Sequence, residues 1–163
     1  MNTKIIKTAI FIDGITLYHG LNGNLINFNE FKNWLNENND NKIASYFSCV
    51  DKSNTKHKFF MHVHKSGFQM FIRKPKYDFV KRILDTIDMN IELTTEAMMH
   101  INDYDKFILV SGKHDFLPLC EKLADNNIEV EIVGFKNNIN KIFNKYKLRY
   151  VEDFIAQVND NKK

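Results

Sequence analysis

Two short apolar runs, each closed by a polar residue that a glycine follows, most constrain the fold of this chain. They span residues 8–13 and 106–111, and they end at Asp13 and Ser111. A continuous apolar run between turn-forming residues is typical of a strand that is buried on both faces, as in a parallel sheet. We therefore predict two buried strands that end at Asp13 and Ser111.

The remaining segments alternate between strand-like and helix-like patterns. We predict further strands at 42–50, 68–72 and 128–133. We predict a helix that starts at Glu30 behind an Asn29 cap, a helix at 55–65 behind a Ser53 or Asn54 cap, and helices at 90–101, 115–125 and 137–146. A short helix closes the chain, and 76–88 fits either a helix or an extended segment. This order predicts an α/β fold with a mostly parallel central sheet and helices on both faces. A single domain, 1–163, with a frayed tail at 159–163, fits the length.

Composition and charge narrow the class of protein. Apolar residues make up 44% of the chain, and the net charge is only +3. We find no apolar segment long enough to span a bilayer and no signal peptide, so we expect no membrane partner. Cys49 and Cys120 have no CxxC spacing, which argues against a disulfide framework or a zinc site and favours the cytoplasm. A homo-oligomer is compatible with the sequence but is not predicted.

A basic stretch at 52–82 interleaves lysines and arginines with aromatic residues, and a second basic stretch follows at 136–149. One interpretation is a solvated surface over an aromatic core. The other is a surface that contacts nucleic-acid phosphates and stacks bases. The sequence alone leaves both open. We also predict that Met98 and Met99, which lie outside these stretches, belong to the core.

The residues that follow the two buried strands are the best candidates for chemistry. In a parallel sheet, ligands bind beyond the carboxyl ends of the strands, so Asp13 and the turn from Ser111 to Asp115 face one crevice if the strands are neighbours. Each acid alone could simply cap a helix. Together they repel unless a cation lies between them, and carboxylates suit a hard divalent ion. A small-molecule α/β enzyme is disfavoured because no GxGxxG follows the first strand and no GxxxxGK[ST] occurs.

Two motifs resemble a known family. Residues 9–18 read AIFIDGITLY, similar to F-I-D-G-x-N-L-Y, and residues 104–119 read YDKFILVSGKHDFLPL, similar to Y-D-x-x-x-L-x-S-G-D-x-D-F-x-P-L. Both patterns are typical of NYN-domain proteins of the LabA-like group. The resemblance implies a PIN-like, Rossmannoid three-layer sandwich. It also implies a ribonuclease that hydrolyses RNA phosphodiester bonds with Mg²⁺ or Mn²⁺.

The chain departs from the family pattern at three places. Thr16 stands where the family has Asn. The middle motif, K-G-V-D-V-x-L-x-x-D, aligns with 87–96 and puts Asn90 and Glu96 at the family's two acids. Lys113 stands where the family has the first Asp of S-G-D-x-D, a change of two charge units.

The resemblance, with these departures, defines a candidate site and two rival functions. Asp13, Glu96 and Asp115 would hold the metal, while Thr16, Ser111, Asn90 and His114 would contact water or substrate. Lys113 would either neutralise a phosphate or pair with Asp13 or Asp115 and fill the metal's place. The first function is therefore a metal-dependent ribonuclease. The alternative is a degenerate, non-cleaving NYN domain that binds nucleic acid or a regulatory partner. For His114 itself, the alternative to a substrate contact is an ordinary surface residue of the loop.

Overall fold

The computed structural model describes residues 5–37, 40–50, 56–75, 77–80, 82–84 and 88–162. The strands in this part of the chain are β1 (Lys7–Asp13), β2 (Asp40–Cys49), β3 (Gln69–Arg73), β4 (Tyr77–Asp78), β5 (Ile83–Leu84), β6 (Lys106–Val110), β7 (Glu129–Gly134) and β8 (Lys147–Tyr150). The helices are α1 (Gly14–Leu21), α2 (Phe28–Asn36), α3 (His57–Lys65), α4 (Asn90–Met99), α5 (Leu117–Asp125) and α6 (Val151–Asp160), with short 3₁₀ helices at His114–Phe116 and Lys141–Lys145.

Six strands form one sheet in the order β3-β2-β1-β6-β7-β8, and every neighbouring pair is parallel. The chain runs outward from β1 to β2 and β3, and then crosses back so that β6 lies on the other side of β1. The strand order therefore reverses between β1 and β6, which is where open α/β sheets bind their ligands. β4 and β5 form a separate antiparallel hairpin.

Helices cover both faces of the sheet, as the alternating side chains of β1 show. Ala9 and Phe11 pack in a core with residues of α4 and α5, whereas Ile10 and Ile12 pack in a second core with residues of α1, α2, α3 and α6. The two cores make a three-layer α/β sandwich and confirm the predicted fold class. None of the described helices is both long and apolar enough to cross a membrane.

Several local predictions were wrong. Asn27 caps α2, because its side chain accepts hydrogen bonds from the amides of Asn29 and Glu30, so the helix begins before the predicted Asn29 cap. Residues 137–146 hold only the short 3₁₀ helix. Met98 packs against the core as predicted, but Met99 is 73% exposed. The proposed caps Ser53 and Asn54 lie outside the described residues.

The closing part of the chain also differs from the prediction. The sequence pattern did not indicate β8, which extends the sheet at one edge beside β7. We predicted a frayed tail from residue 159, but residues 159 and 160 are the last two residues of α6. The ambiguous segment 76–88 contains the β4–β5 hairpin.

Candidate functional site

Asp13 is the centre of the candidate site. It is the last residue of β1 and is 2% exposed. Its Oδ1 accepts a hydrogen bond from the Thr16 amide at 3.3 Å, and its Oδ2 accepts one from Thr16 Oγ1 at 2.5 Å. Asp13 therefore caps α1, which is the structural role foreseen for it, while its carboxylate lies at the point where the strand order reverses.

Ser111 and Lys113 reach the same carboxylate from the end of β6. Ser111 Oγ donates a hydrogen bond to Asp13 Oδ2 at 3.0 Å, and Lys113 Nζ lies 3.1 Å from the same oxygen. Because β6 pairs directly with β1, the two strand ends meet as predicted. Thr16, Ser111 and Lys113 thus surround one oxygen of a buried carboxylate, and the Lys113 ammonium neutralises its charge.

Asp115 forms a second, more open part of the site with Asn90 and His114. The Asp115 side chain is half exposed, in the 3₁₀ helix that follows Lys113. Asn90 Nδ2 lies 3.5 Å from Asp115 Oδ2, and His114 Nε2 lies 3.6 Å from Asp115 Oδ1. The Asn90 Oδ1 atom is buried and has no hydrogen-bond partner among the described residues. The amino end of α4 therefore presents a neutral amide to this carboxylate.

The structure does not bring Glu96 to the other two acids. Glu96 lies six residues beyond Asn90 on α4, which moves it about 9 Å along the helix axis. Its carboxylate faces His100 Nε2 at 3.3 Å instead. Of the acids assigned to the metal by resemblance, only Asp13 and Asp115 lie on the turns that meet at the strand ends.

The pairing of His100 leads to a prediction about pH. His100 Nδ1 lies 2.8 Å from Asp103 Oδ2, and this hydrogen bond, with the Glu96 carboxylate on the other nitrogen, raises the pKa of His100. A raised folded-state pKa stabilises the fold below the ordinary histidine pKa, and this stability is lost as the pH rises through the folded value. We expect an NMR titration to give a pKa above that of an unstructured histidine. Asp103→Asn should lower this pKa more than Glu96→Gln; an unchanged pKa in Asp103→Asn would contradict the assignment.

The turn that carries Lys113 is held by the loop after β7. A side chain on Gly112 would overlap the carbonyl oxygen of Asn138, so only glycine fits without moving the backbone. The Gly112 carbonyl also accepts a hydrogen bond from the Asn140 amide at 3.1 Å. The loop therefore fixes the direction in which the Lys113 backbone leaves the sheet.

Comparison with known proteins agrees with this geometry. The NYN domain family model matches residues 7–154. The chain belongs to the NYN domain family. NYN domains are part of the PIN-like nuclease superfamily, whose members usually use divalent metal ions. No curated protein matches the chain.

One solved structure supports the fold of this NYN domain. It is a protein of unknown function from Vibrio parahaemolyticus, with a TM-score of 0.81 and 19% sequence identity. The match covers 94% of this chain and 98% of that chain. At this identity the likeness concerns the architecture alone.

The residues at the site do not fit the divalent metal that the family usually uses. The oxygen of Asp13 that faces the crevice already has three donors, and one of them is an ammonium. Asp115 faces an amide and an imidazole, and Glu96 faces His100. Within the described ranges, no group of three or more His, Cys, Asp or Glu side chains is placed to hold a metal ion. The carboxylate oxygens that would have to bind a metal ion therefore already contact an ammonium, hydroxyl groups, an amide or an imidazole.

Sequence reasoning missed Tyr46 as part of the NYN site. This fully buried tyrosine of β2 donates a hydrogen bond to the Gly14 carbonyl at 3.3 Å, and its ring fills the space where a side chain on Gly14 would lie. Burial, followed by the charge of Asp13, raises the pKa of Tyr46, so its hydroxyl stays protonated. Its signal in the sequence is weak, because a tyrosine in a strand is more often only a packing residue.

Proposed function

We propose that this NYN domain binds nucleic acid at the carboxyl edge of its sheet and does not cleave it. The observation that carries the proposal is the Lys113 ammonium, 3.1 Å from the Asp13 carboxylate. The NYN motif has an aspartate at the position of Lys113, and the structure turns this residue toward the other acid of the site. The ammonium therefore supplies the positive charge that a metal ion supplies elsewhere in the superfamily.

The second substitution in the motif supports the same conclusion. Asn90 stands at another acid of the family pattern, and its Nδ2 faces Asp115. Each surviving acid at the strand ends is thus paired with the residue that replaces a lost acid: Asp13 with Lys113, and Asp115 with Asn90. Losing two acids while adding an ammonium lowers the negative potential that would attract a divalent cation. It also makes the crevice less repulsive toward a phosphate.

A phosphate can be bound here without a metal. Lys113 keeps a third of its side chain exposed while it contacts Asp13, so it can donate to Asp13 and to an incoming phosphate at once. His114, which is 71% exposed at the side chain, lies next to it. Direct pairing of an ammonium with a phosphate is the main source of affinity for nucleic acids and makes binding salt-dependent.

The second candidate function is the metal-dependent ribonuclease that hydrolyses RNA with Mg²⁺ or Mn²⁺. One observation favours it: the buried Asn90 Oδ1 lacks a donor among the described residues, and an amide oxygen is an acceptable ligand for a hard cation. In that case Asp13, Glu96 and Asp115 would have to move toward one another. Binding and cleavage assays with and without Mn²⁺ separate the two functions.

The test compares RNA binding and RNA cleavage by the same protein. We expect the natural chain to bind single-stranded RNA equally well in EDTA and in Mn²⁺, and to release no labelled fragment in either. Lys113→Gln should weaken binding. It should also lower the slope of log Kd against log salt concentration by about one unit, which corresponds to one lost phosphate contact. Lys122→Gln is the matched control. Lys122 is exposed in the last turn of α5, far from the carboxyl ends of the strands where the helix begins. Cleavage that needs Mn²⁺ and disappears in Asp13→Asn would overturn the proposal in favour of the ribonuclease.

The finer assignments belong to the same proposal. We place the chain in the LabA-like group on the motif at 9–18, and we take RNA as the nucleic acid. A cytoplasmic setting is supported by two free cysteines, Cys49 and Cys120. One domain spanning 1–163 is supported by the family match over most of the chain.

A further inference from the structure

We propose that the β4–β5 hairpin is a binding site for the bases of single-stranded nucleic acid, with Tyr77 and Phe79 as the stacking residues. This inference rests on the proposed function and extends it, because it assigns base contacts to an element outside the Asp13 and Lys113 crevice. Four observations support it: the exposure of the two rings, their geometry, their position in the chain between β3 and α4, and the charge around them.

The two aromatic rings of the hairpin are exposed to an unusual degree. Tyr77 is 46% exposed and Phe79 is 84% exposed. Most of the other phenylalanines in the described chain are buried in one of the two cores or packed against them. Leaving a phenyl ring in water forfeits the free energy of burying it. Contiguous exposed apolar groups mark interaction sites, whereas single exposed apolar side chains are ordinary. Tyr77, Phe79 and Val80 are exposed next to one another.

The geometry of the pair leaves ring surface available. The centroids of Tyr77 and Phe79 are 5.0 Å apart and the rings are nearly perpendicular, at 79°. In this edge-to-face arrangement one ring covers a single face of the other. A base can therefore stack on a remaining face without displacing the pair.

The hairpin is part of the chain that connects β3 to α4, the helix that borders the crevice. β3 ends at Arg73, and α4 begins at Asn90, whose side chain reaches Asp115. Both points are at the carboxyl edge of the sheet. Arg73 Nη1 also pairs with Glu92 of α4 at 2.6 Å, which ties the end of β3 to the helix that borders the site.

The charge around the hairpin favours a nucleic acid over an apolar protein partner. Lys74 and Arg82 flank the two rings in sequence and are exposed. An aromatic pair between basic residues matches the alternation of base and phosphate along a single strand. A protein–protein contact centred on Phe79 would gain little from these charges, because the centre of such a contact is usually depleted of lysine. We therefore assign the two rings to the bases of a strand and Lys113 to one of its phosphates.

The test measures the affinity of the full chain for a labelled oligouridine of about 12 nucleotides and for an abasic strand of the same length. We expect Phe79→Ala to weaken oligouridine binding about tenfold, and Tyr77→Ala by a similar factor, because an alanine side chain offers no ring on which a base can stack. Phe79→Trp should keep the affinity. Leu25→Ala, at an apolar residue that is 92% exposed outside the hairpin, is the matched control and should have no effect.

The abasic strand separates stacking from phosphate contacts. It should bind the natural chain weakly and should bind Phe79→Ala just as well, whereas Lys113→Gln should weaken both strands. If Phe79→Ala binds oligouridine as the natural chain does, the hairpin proposal is wrong and the Lys113 site stands. If the natural chain binds neither strand, the proposed function itself fails. If Phe79→Ala instead abolishes a concentration-dependent dimer and leaves RNA binding intact, the hairpin is a protein interface and the inference is overturned.

Discussion

The double variant Lys113→Asp/Asn90→Asp is expected to bind Mn²⁺ about a hundredfold or more tightly than the natural chain does. Removing the ammonium frees Asp13 Oδ2, and the two new carboxylates restore the acids of the NYN motif. A pair of unit charges about 4 Å apart interacts by about 4 kcal/mol at an effective dielectric constant of 20. Changing the charge at residue 113 by two units beside a divalent ion therefore has a large effect on affinity.

Calorimetric titration with Mn²⁺ measures this gain, and thermal unfolding gives an independent reading. Without metal, the double variant should melt at a lower temperature than the natural chain, because the clustered carboxylates repel. Added Mn²⁺ should raise its melting temperature, since a ligand that binds only the folded state stabilises it. Lys122→Asp makes the same charge change at the far end of α5 and should show neither effect. Equal Mn²⁺ affinity in the natural chain and the double variant would mean that Lys113 does not block a metal site.

RNA cleavage by the double variant decides how much of the nuclease machinery survives. If cleavage appears together with Mn²⁺ binding, the natural chain keeps the remaining catalytic geometry, and Lys113 and Asn90 alone suppress it. Binding of Mn²⁺ without cleavage would place a further loss elsewhere in the site. Both results are compatible with metal-free binding by the natural chain, because that proposal concerns Lys113 as it stands.

The core of the fold could be predicted because its signals are local. An apolar run that ends at a polar residue and a glycine predicts β1 and β6 without reference to the rest of the chain. Parallel strands that are neighbours bring their carboxyl ends together, so the meeting of Asp13 and Ser111 follows from the same reasoning. The hydrogen bond between Ser111 Oγ and Asp13 Oδ2, at 3.0 Å, could be seen only in the structure.

The direction of Lys113 could not be predicted in the same way. A lysine has a long, flexible side chain, and the sequence allowed it to contact a phosphate, Asp13 or Asp115. What decides among these is the burial of Asp13: a carboxylate that is 2% exposed needs compensating charge or donors, whereas Asp115 is half exposed and solvated. This difference in burial exists only once the sheet has formed.

Glu96 and β8 show two further limits of sequence reasoning. Alignment to a motif gave Glu96 a role, but helix geometry carries it away from Asn90 and toward His100. β8 was missed because Lys147 and Arg149 are poor signals for a strand beside a buried one. Their charges are accommodated by Glu131 of β7, a partner that lies 16 and 18 residues away in the chain.

The charge cluster around Glu131 leads to the second large expected effect, on stability. Glu131 is completely buried; its Oε2 lies 2.7 Å from Lys106 Nζ and its Oε1 lies 3.1 Å from Arg149 Nη1. Lys106 is itself 4% exposed. We expect Glu131→Gln to destabilise the fold by about 3 kcal/mol, because it removes the buried partner of the Lys106 ammonium and leaves, among the described residues, only the exposed Glu129 carboxylate, 3.3 Å away. For a chain of this size, that lowers the melting temperature by about 10 °C.

Arg149 explains why the cluster affects more than one strand. Its Nη2 donates to the Trp34 carbonyl at 2.6 Å and its Nη1 to the Leu35 carbonyl at 3.3 Å, while its guanidinium lies 3.8 Å from the centre of the Trp34 ring. Arg149 therefore joins β8 to the last turn of α2, whose carbonyl groups favour a cation. Loss of the Glu131 charge loosens β7, β8 and α2 together, so we expect one cooperative transition at a lower temperature.

The pH dependence of the Glu131 effect separates charge from packing. Burial raises the pKa of Glu131, but the hydrogen bond from Lys106 and the charges of Lys106 and Arg149 outweigh it, so the pKa lies below the usual glutamate value. A depressed folded-state pKa contributes stability above the unfolded pKa, and this stability is lost as the pH falls through the folded value. The difference in unfolding free energy between the natural chain and Glu131→Gln should therefore be full near neutral pH and shrink in acid. A difference that stays constant down to low pH would assign the effect to packing.

Two further variants complete this test. Glu121→Gln removes the carboxylate of an exposed ion pair with Lys145 and should change the melting temperature little, because exposed pairs are solvated. In the double variant Lys106→Met/Glu131→Gln, the second substitution removes a buried charge that has already lost Lys106 as a partner and keeps Arg149 and Lys147. Its destabilisation should therefore be smaller than the sum of the two single effects. Simple additivity would mean that Lys106 and Glu131 contribute independently, which their 2.7 Å separation argues against.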